Sequence, residues 1–145
     1  MSYSHTDVAA VVLAAGMGKR MNSDLAKVLH EMAGKPLLGH VLDTLDELGV
    51  ARVVAVIGHQ RERVEAAFAG RPRLEWAIQA EQRGTGHACM MAEPVLRGFP
   101  GTVLVVCGAG GGIPWQVPQA ACVPLTVVQV GVLLVPPAPS VAPWQ

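Results

Sequence analysis

Short, wholly apolar runs alternate with longer amphipathic stretches over residues 8–108. Val8 to Leu13 (VAAVVL) has no polar position, the pattern of a strand buried on both faces. A Gly-rich loop follows, and Pro36 suits a first helical position, where its missing N–H removes no hydrogen bond. Beyond it Leu37, Leu38, Val41, Leu42, Leu45 and Leu48 recur at helical spacing, with Gly49 placed to end the helix. Arg52 to Ile57 (RVVAVI) predicts a second buried strand. Arg61 to Ala69 predicts a short helix with Val64, Ala67 and Phe68 inward. Leu74 to Ile78 reads as a third strand, Gly86 to about Glu93 as a helix with Pro94 near its end, and Thr102 to Val106 as a fourth strand. The order βαβαβαβ predicts an α/β fold, a Rossmann-like parallel sheet with helices on both faces. Ligands of such sheets bind beyond the carboxyl ends of the strands, so the loops that follow strands are where chemistry is expected.

Composition adds a boundary. The 145 residues carry 11 Lys+Arg and 11 Asp+Glu, a balance that argues against a general nucleic-acid binder or a polybasic membrane-surface protein. Every charged residue lies at or before Arg97, and from Ala109 to Gln145 there is no Asp, Glu, Lys, Arg or His. Average usage would place about nine charges there. Pro114, Pro118, Pro124, Pro136, Pro137, Pro139 and Pro143 fall in the same stretch, and no period of 2 or 3.6 survives them. Two regimes are therefore expected: a globular unit over 1–108, and an uncharged Pro/Gly/Val-rich segment over 109–145, read as frameshifted or unstructured. Cys89, Cys107 and Cys122 show no paired spacing, which argues against a disulfide framework or a conventional zinc site and fits a reducing compartment. Met1 to Asp7 lacks a signal-peptide pattern, and no apolar run reaches the about 18 residues of a membrane-spanning helix, so a cytoplasmic location is expected.

The loop after the first strand carries the strongest chemical signal: Leu13-Ala14-Ala15-Gly16-Met17-Gly18-Lys19-Arg20-Met21, then Lys27. Its glycines let backbone amides turn toward phosphate oxygens, and Arg20 and Lys27 add fixed positive charge. A dinucleotide fingerprint fails, because Met21 stands where the third glycine is needed and Gly58-His59 supplies no acidic residue after the second strand. A Walker A loop fails too, because Gly18-Lys19 is followed by Arg20 and preceded at the required distance by Leu13.

Leu13–Lys27 resembles the L-x-x-G-x-G-T-x-M-x4-P-K signature of sugar-nucleotide pyrophosphorylases, within the MobA-like nucleotidyltransferase fold. The likeness continues through Lys27-Val28-Leu29-His30, Gly34-Lys35-Pro36 and Gly58-His59. It is most specific at Gln79-Ala80-Glu81-Gln82-Arg83-Gly84-Thr85-Gly86-His87-Ala88. That run is similar to one in bacterial bifunctional N-acetylglucosamine-1-phosphate uridylyltransferases / glucosamine-1-phosphate acetyltransferases. The resemblance covers about Val8 to Gly108.

The resemblance implies a cytoplasmic transferase that makes UDP-N-acetylglucosamine, a cell-wall precursor, from UTP and N-acetylglucosamine 1-phosphate with Mg²⁺. Leu13, Ala14, Ala15, Gly16 and Gly18 would line the nucleotide. Arg20 and Lys27 would hold the triphosphate and stabilise charge on the reacting phosphoryl group, as catalytic residues. Gln79 and Gly84 would read the uracil edge, with Thr85 beside them; a side-chain amide plus a backbone group can match its donor and acceptor. Lys19 replaces the signature threonine and Ala26 its proline, which loosens the turn but keeps Lys27. A third departure is larger: Ala109 occupies the position of the metal-binding Asp, so the Mg²⁺ ligand is missing. The nucleotide-binding half of the domain is thus expected, cut after the fourth strand, with little or no activity. Without the trimer-forming domain it would be a monomer, with no nucleic-acid or membrane partner. Two alternatives stay open: a non-catalytic nucleotide-binding module, favoured by Ala109, and a related guanylyl- or cytidylyltransferase, disfavoured by Gln79–Ala88. Of the rest, His30, His40 and His59 are read as packing or surface residues, and Asp24 as a surface turn. Met90, Met91 and Cys107 are read as buried.

Overall fold

The structure, a computed structural model, describes residues 8–18 and 22–109. Of the segment expected over 109–145 only Ala109 is among them; residues 110–145, Met1 to Asp7, and Lys19, Arg20 and Met21 lie outside them. Four strands form one parallel sheet: β1 (Val8–Leu13), β4 (Arg52–Ile57), β5 (Leu74–Ile78) and β6 (Thr102–Cys107), in the order β5-β4-β1-β6. Between β1 and β4 lie a 3₁₀ turn (Lys27–Leu29), a small antiparallel pair, β2 (Glu31–Met32) with β3 (Lys35–Pro36), and helix α1 (Leu37–Glu47). Helix α2 (Arg61–Ala67) joins β4 to β5, and α3 (Thr85–Leu96) joins β5 to β6.

The topology explains the layering. The connections through α1 and α2 step outward from β1 to β4 to β5, whereas α3 leads back past β4 and β1 to β6. Crossovers of one hand that run in opposite directions place their helices on opposite faces. Strand alternation agrees. Ala10, Val12, Val53, Ala55 and Ile57 pack with Leu38, Leu42, Leu45, Val64 and Phe68 on the α1/α2 face. Ala9, Val11, Val54 and Val56 pack with Ala88, Ala92 and Leu96 of α3 on the other. The uninterrupted apolar runs of β1 and β4 follow from this double burial.

Several expectations need correction. Pro36 is the last residue of β3 and the cap before α1, not its first residue, because the Glu31–Pro36 pairing and the Leu37 N–H to His30 carbonyl bond (2.9 Å) hold the chain extended there. The helix after Arg61 ends at Ala67, whose side chain is exposed, while Phe68 still reaches the core. Leu48 is 49% exposed, past the end of α1. Helix α3 runs through Pro94 to Leu96, since Leu96 is buried on the sheet. Met90 is 61% exposed, because the buried stripe of α3 is the i, i+4, i+8 set Ala88, Ala92 and Leu96 on the opposite side; Met91 packs against that stripe. Cys107 is exposed, since β6 lies at the sheet's edge among the described residues.

Two ion-pair groups pin the scaffold. The Arg52 guanidinium takes both Glu75 carboxylate oxygens (2.8 and 2.9 Å) and the Val95 carbonyl (3.0 Å), tying β4, β5 and α3. Arg71 bridges Asp43 and Asp46 of α1, and Lys35 of β3 also pairs with Asp43.

Candidate functional site

Three loops converge at the carboxyl ends of the strands because the sheet's hydrogen bonding continues one residue past them. The Ala14 N–H donates to the Val56 carbonyl (2.8 Å), the Gln79 N–H to the Ile57 carbonyl (2.8 Å) and the Gly108 N–H to the Leu13 carbonyl (2.9 Å). Between them opens a cleft of about 470 Å³. Leu13, Ala14, Ala15 and Gly16 line it from the β1 loop, Lys27 and Val28 from the 3₁₀ turn, and Gln79, Gln82, Gly84, Thr85 and Ala88 from the β5–α3 side. Cys107 and Ala109 close it at β6. The structure thus gathers nearly every nucleotide-binding candidate; Arg20 lies outside the described residues, and Gly18 stands behind the lining.

Gly18 has φ +61°, a left-handed conformation, and a Cβ built there would meet the Lys27 Cβ at 2.8 Å. Only a glycine lets the loop turn back over the lysine that follows it in the cleft. Among the described residues the amides of Ala15, Gly16 and Gly18 have no acceptor. Such turned, unpaired N–H groups make an anion-binding concavity.

Gln79 is the buried polar residue of the described chain, 4% exposed. Its Nε2 donates to the Gly84 carbonyl (3.2 Å), which can only accept, and this fixes the orientation of the amide. The second Nε2 proton then meets His87 Nδ1 at 2.9 Å, so that nitrogen accepts and the imidazole proton sits on Nε2. Gln79 Oε1 has no partner among the described residues. Gly84 holds φ +94° and ψ −179°, a conformation open only to glycine, and directs the chain into α3 at the cleft wall.

Two contacts have no counterpart in the sequence reading. Gln82 Nε2 donates to the Ala15 carbonyl (2.6 Å), bridging the β5–α3 loop to the Gly-rich loop. Gln82 stands inside the Gln79–Ala88 run, which is the signal that could have singled it out. Gln60 reaches the segment before Lys27, with no such signal. The histidine readings agree with the structure. His59 is exposed, His40 Nε2 pairs with the Met32 carbonyl (2.8 Å), and His30 packs with Nε2 buried and unpartnered among the described residues. Burial, which penalises the thiolate, pushes the Cys89 thiol above its ordinary range and makes it a poor nucleophile.

Mg²⁺ takes oxygen ligands, usually including one or two carboxylates. The described lining of the cleft contains no Asp or Glu, and Ala109 stands at the end of β6. Among the described residues no three His, Cys, Asp or Glu side chains cluster. These residues do not fit a protein-held Mg²⁺. No helix of the described residues is long and apolar enough to cross a membrane.

Residues 10–109 match the MobA-like NTP transferase domain. The chain is 52% identical over 102 residues to the bifunctional protein GlmU of Pelobacter propionicus, covering 70% of this chain and 22% of that protein. It is 55% identical over 87 residues to that of Bordetella petrii, covering 60% and 19%. The chain therefore spans about a fifth of the length of these relatives. Among solved structures, the inositol-1-phosphate CTP transferase of T. maritima superposes with a TM-score of 0.62 at 23% identity, over 72% of this chain and 44% of that one. HddC of Yersinia pseudotuberculosis, complexed with GMP-PN, gives 0.61 at 23%, over 69% and 47%. At that identity the likeness establishes the fold.

Proposed function

The chain belongs to the MobA-like NTP transferase family, and on that premise we propose that its cleft takes UTP in the manner of a UTP:N-acetylglucosamine-1-phosphate uridylyltransferase. The observation that carries this reading is the buried Gln79 amide. Both of its protons are engaged within the protein, which leaves Oε1, an acceptor, as the atom available to a base. Uracil offers a ring N–H at N3, whereas cytosine offers an unprotonated acceptor there, so a fixed carbonyl oxygen favours uracil. The Gly84 N–H, without an acceptor among the described residues, is the complementary donor for the adjacent uracil carbonyl.

The rest of the cleft suits the phosphates. The amides of Ala15 and Gly16 and the ammonium of Lys27 form a positively polarised rim, to which Arg20 would add a guanidinium. In the transfer implied by the likeness, a sugar-phosphate oxygen bonds to the α-phosphorus of UTP as the bond to the β-phosphate oxygen breaks, releasing pyrophosphate. Such reactions depend on positioning and charge stabilisation, with no covalent enzyme step required. Lys27 would supply the charge. The described lining supports the binding half of that task and offers no carboxylate for the metal-holding half. The 145-residue chain accordingly binds nucleotide without turning it over, the behaviour of a nucleotide-binding module. Calorimetric titration with UTP, CTP, GTP and ATP tests the reading: UTP binds tightest, and equal affinity for all four would overturn it.

A further inference from the structure

We propose that Gln60 is a positioning residue for Lys27, a clamp on the peptide that delivers the ammonium to the cleft; the proposal rests on the reading of Lys27 as a triphosphate contact. Gln60 sits just past β4, immediately before α2. Its carboxamide reaches across 34 positions of sequence to the segment ahead of Lys27. There Oε1 accepts the Ala26 N–H at 3.0 Å, and Nε2 donates to the Asp24 carbonyl. One rigid amide thus holds a donor and an acceptor of a single turn, a match that needs both functions of a carboxamide.

The backbone of Gln60 argues that the side chain is the reason for the residue. It holds φ 55° and ψ 35°, the left-handed region, where any residue with a Cβ is strained and glycine is not. Starting α2 there needs no carboxamide. Glycine would serve the turn better, so what glutamine adds is the pair of bonds to 24–26.

Those bonds act where no proline ring fixes the backbone. Ala26 has φ −53°, inside the range a proline ring would impose, but alanine does not enforce it. The turn that alanine was expected to loosen is closed by Gln60. On its other side Lys27 is hemmed in by Gly18, whose backbone leaves no room for a Cβ. The lysine Cα is therefore fixed from two directions, by the β4–α2 junction and by the Gly-rich loop.

The test uses the full chain and compares UTP with uridine by calorimetry. Gln60→Gly removes the clamp and relieves the backbone strain, so loss of folding is not the expected cause of a change. We expect UTP affinity to fall about three- to tenfold, the scale of ordering one long side chain, with uridine affinity unchanged within twofold. Ala26→Pro deletes the N–H that Gln60 accepts but keeps φ, so in that background Gln60→Gly should cost much less. An equal loss in both backgrounds, or an equal loss for UTP and uridine, overturns the clamp. Lys27→Ala is the control for the underlying reading: if it leaves UTP affinity intact, the phosphate assignment of Lys27 fails. If it weakens UTP while Gln60→Gly does not, the clamp alone fails.

Discussion

Gly18 and Lys27 are in such close backbone approach that a single methyl group on the glycine would meet the lysine Cβ at 2.8 Å. The contact welds the Gly-rich loop to the 3₁₀ turn and sets where the ammonium enters the cleft. Gly16, two residues earlier, has nothing within 4 Å of its missing Cβ. Gly18→Ala should therefore destabilise the fold by about 1–3 kcal/mol, the scale of a strained conformation at a fixed site, and weaken UTP binding. Gly16→Ala should change stability by no more than about 0.5 kcal/mol. Urea unfolding and calorimetry on the two variants check the contrast.

Gln79→Ala should erode the preference for UTP over the other triphosphates by about 1–3 kcal/mol, the cost of leaving a buried partner unpaired. Phosphate affinity should stay nearly the same. Titration of the variant with UTP and GTP measures the loss; an unchanged preference would move the base reader elsewhere.

Lys27→Ala and Arg20→Ala should each weaken UTP more than uridine, because charge-assisted bonds to phosphate are lost. Lys19→Ala should matter less. Paired titrations at two salt concentrations separate these contributions, and dominance by Lys19 would mean that the loop is assigned in the wrong register.

The ion pairs beside α1 give a pH signature. Hydrogen bonds from Lys35 and then Arg71 hold the Asp43 carboxyl below the usual carboxylate range, against a smaller opposing effect of burial. A depressed folded-state pKa stabilises the fold above the unfolded value, near 3.8, and the stabilisation is lost as pH falls through the folded value. Asp43→Asn should thus destabilise the protein at pH 7 and do so less at about pH 3, below the unfolded value. The pairs are partly exposed and screened, so the effect at pH 7 is about 1 kcal/mol or less. Thermal melts at the two pH values check it.

The chain should release no measurable pyrophosphate from UTP, Mg²⁺ and N-acetylglucosamine 1-phosphate. Ala109→Asp alone should not restore release, since one carboxylate supplies neither a sugar-phosphate site nor the remaining charge stabilisation. A coupled pyrophosphate assay on both chains decides the matter, and clear turnover by the unaltered chain would require a metal site beyond the described cleft.

The bounds of β1 and the Val53–Ile57 body of β4 were legible because a strand buried on both faces disfavours polar residues, so the apolar run ends where the strand ends; β5, with Glu75 inside it, owes its legibility to the turn residues around it instead. The β2–β3 pair was not legible. Two-residue strands have no period, and its turn places Ala33 as well as Gly34 at positive φ, which alanine does not advertise. The orientation of Leu48, Met90 and Cys107 was misread because apolar character does not say which side of a helix, or which edge of a sheet, will be covered. At the site, Gly18, Lys27 and Gln79 were legible because their chemistry is local to a short run. Gln60 was not: its proposed role depends on a contact across 34 positions, visible only once the β4–α2 junction meets the segment before Lys27.

The placement of β1 bears on the order in which the molecule can assemble. It precedes both of its partners in the chain, yet it lies between them in the described sheet, paired with β4 from Ala9–Arg52 onward and with β6 from Val8–Thr102 onward. At about 5–20 residues per second, Thr102 emerges roughly 5–20 s after Val8. Over that interval the nascent chain holds an apolar strand with one flank unpaired, and the cleft, which needs Leu13, Gln79 and Cys107 together, cannot form. Among the described strands β1 is thus the shared partner of β4 and β6, so its loss would remove two pairings, whereas loss of β6 would remove one alone.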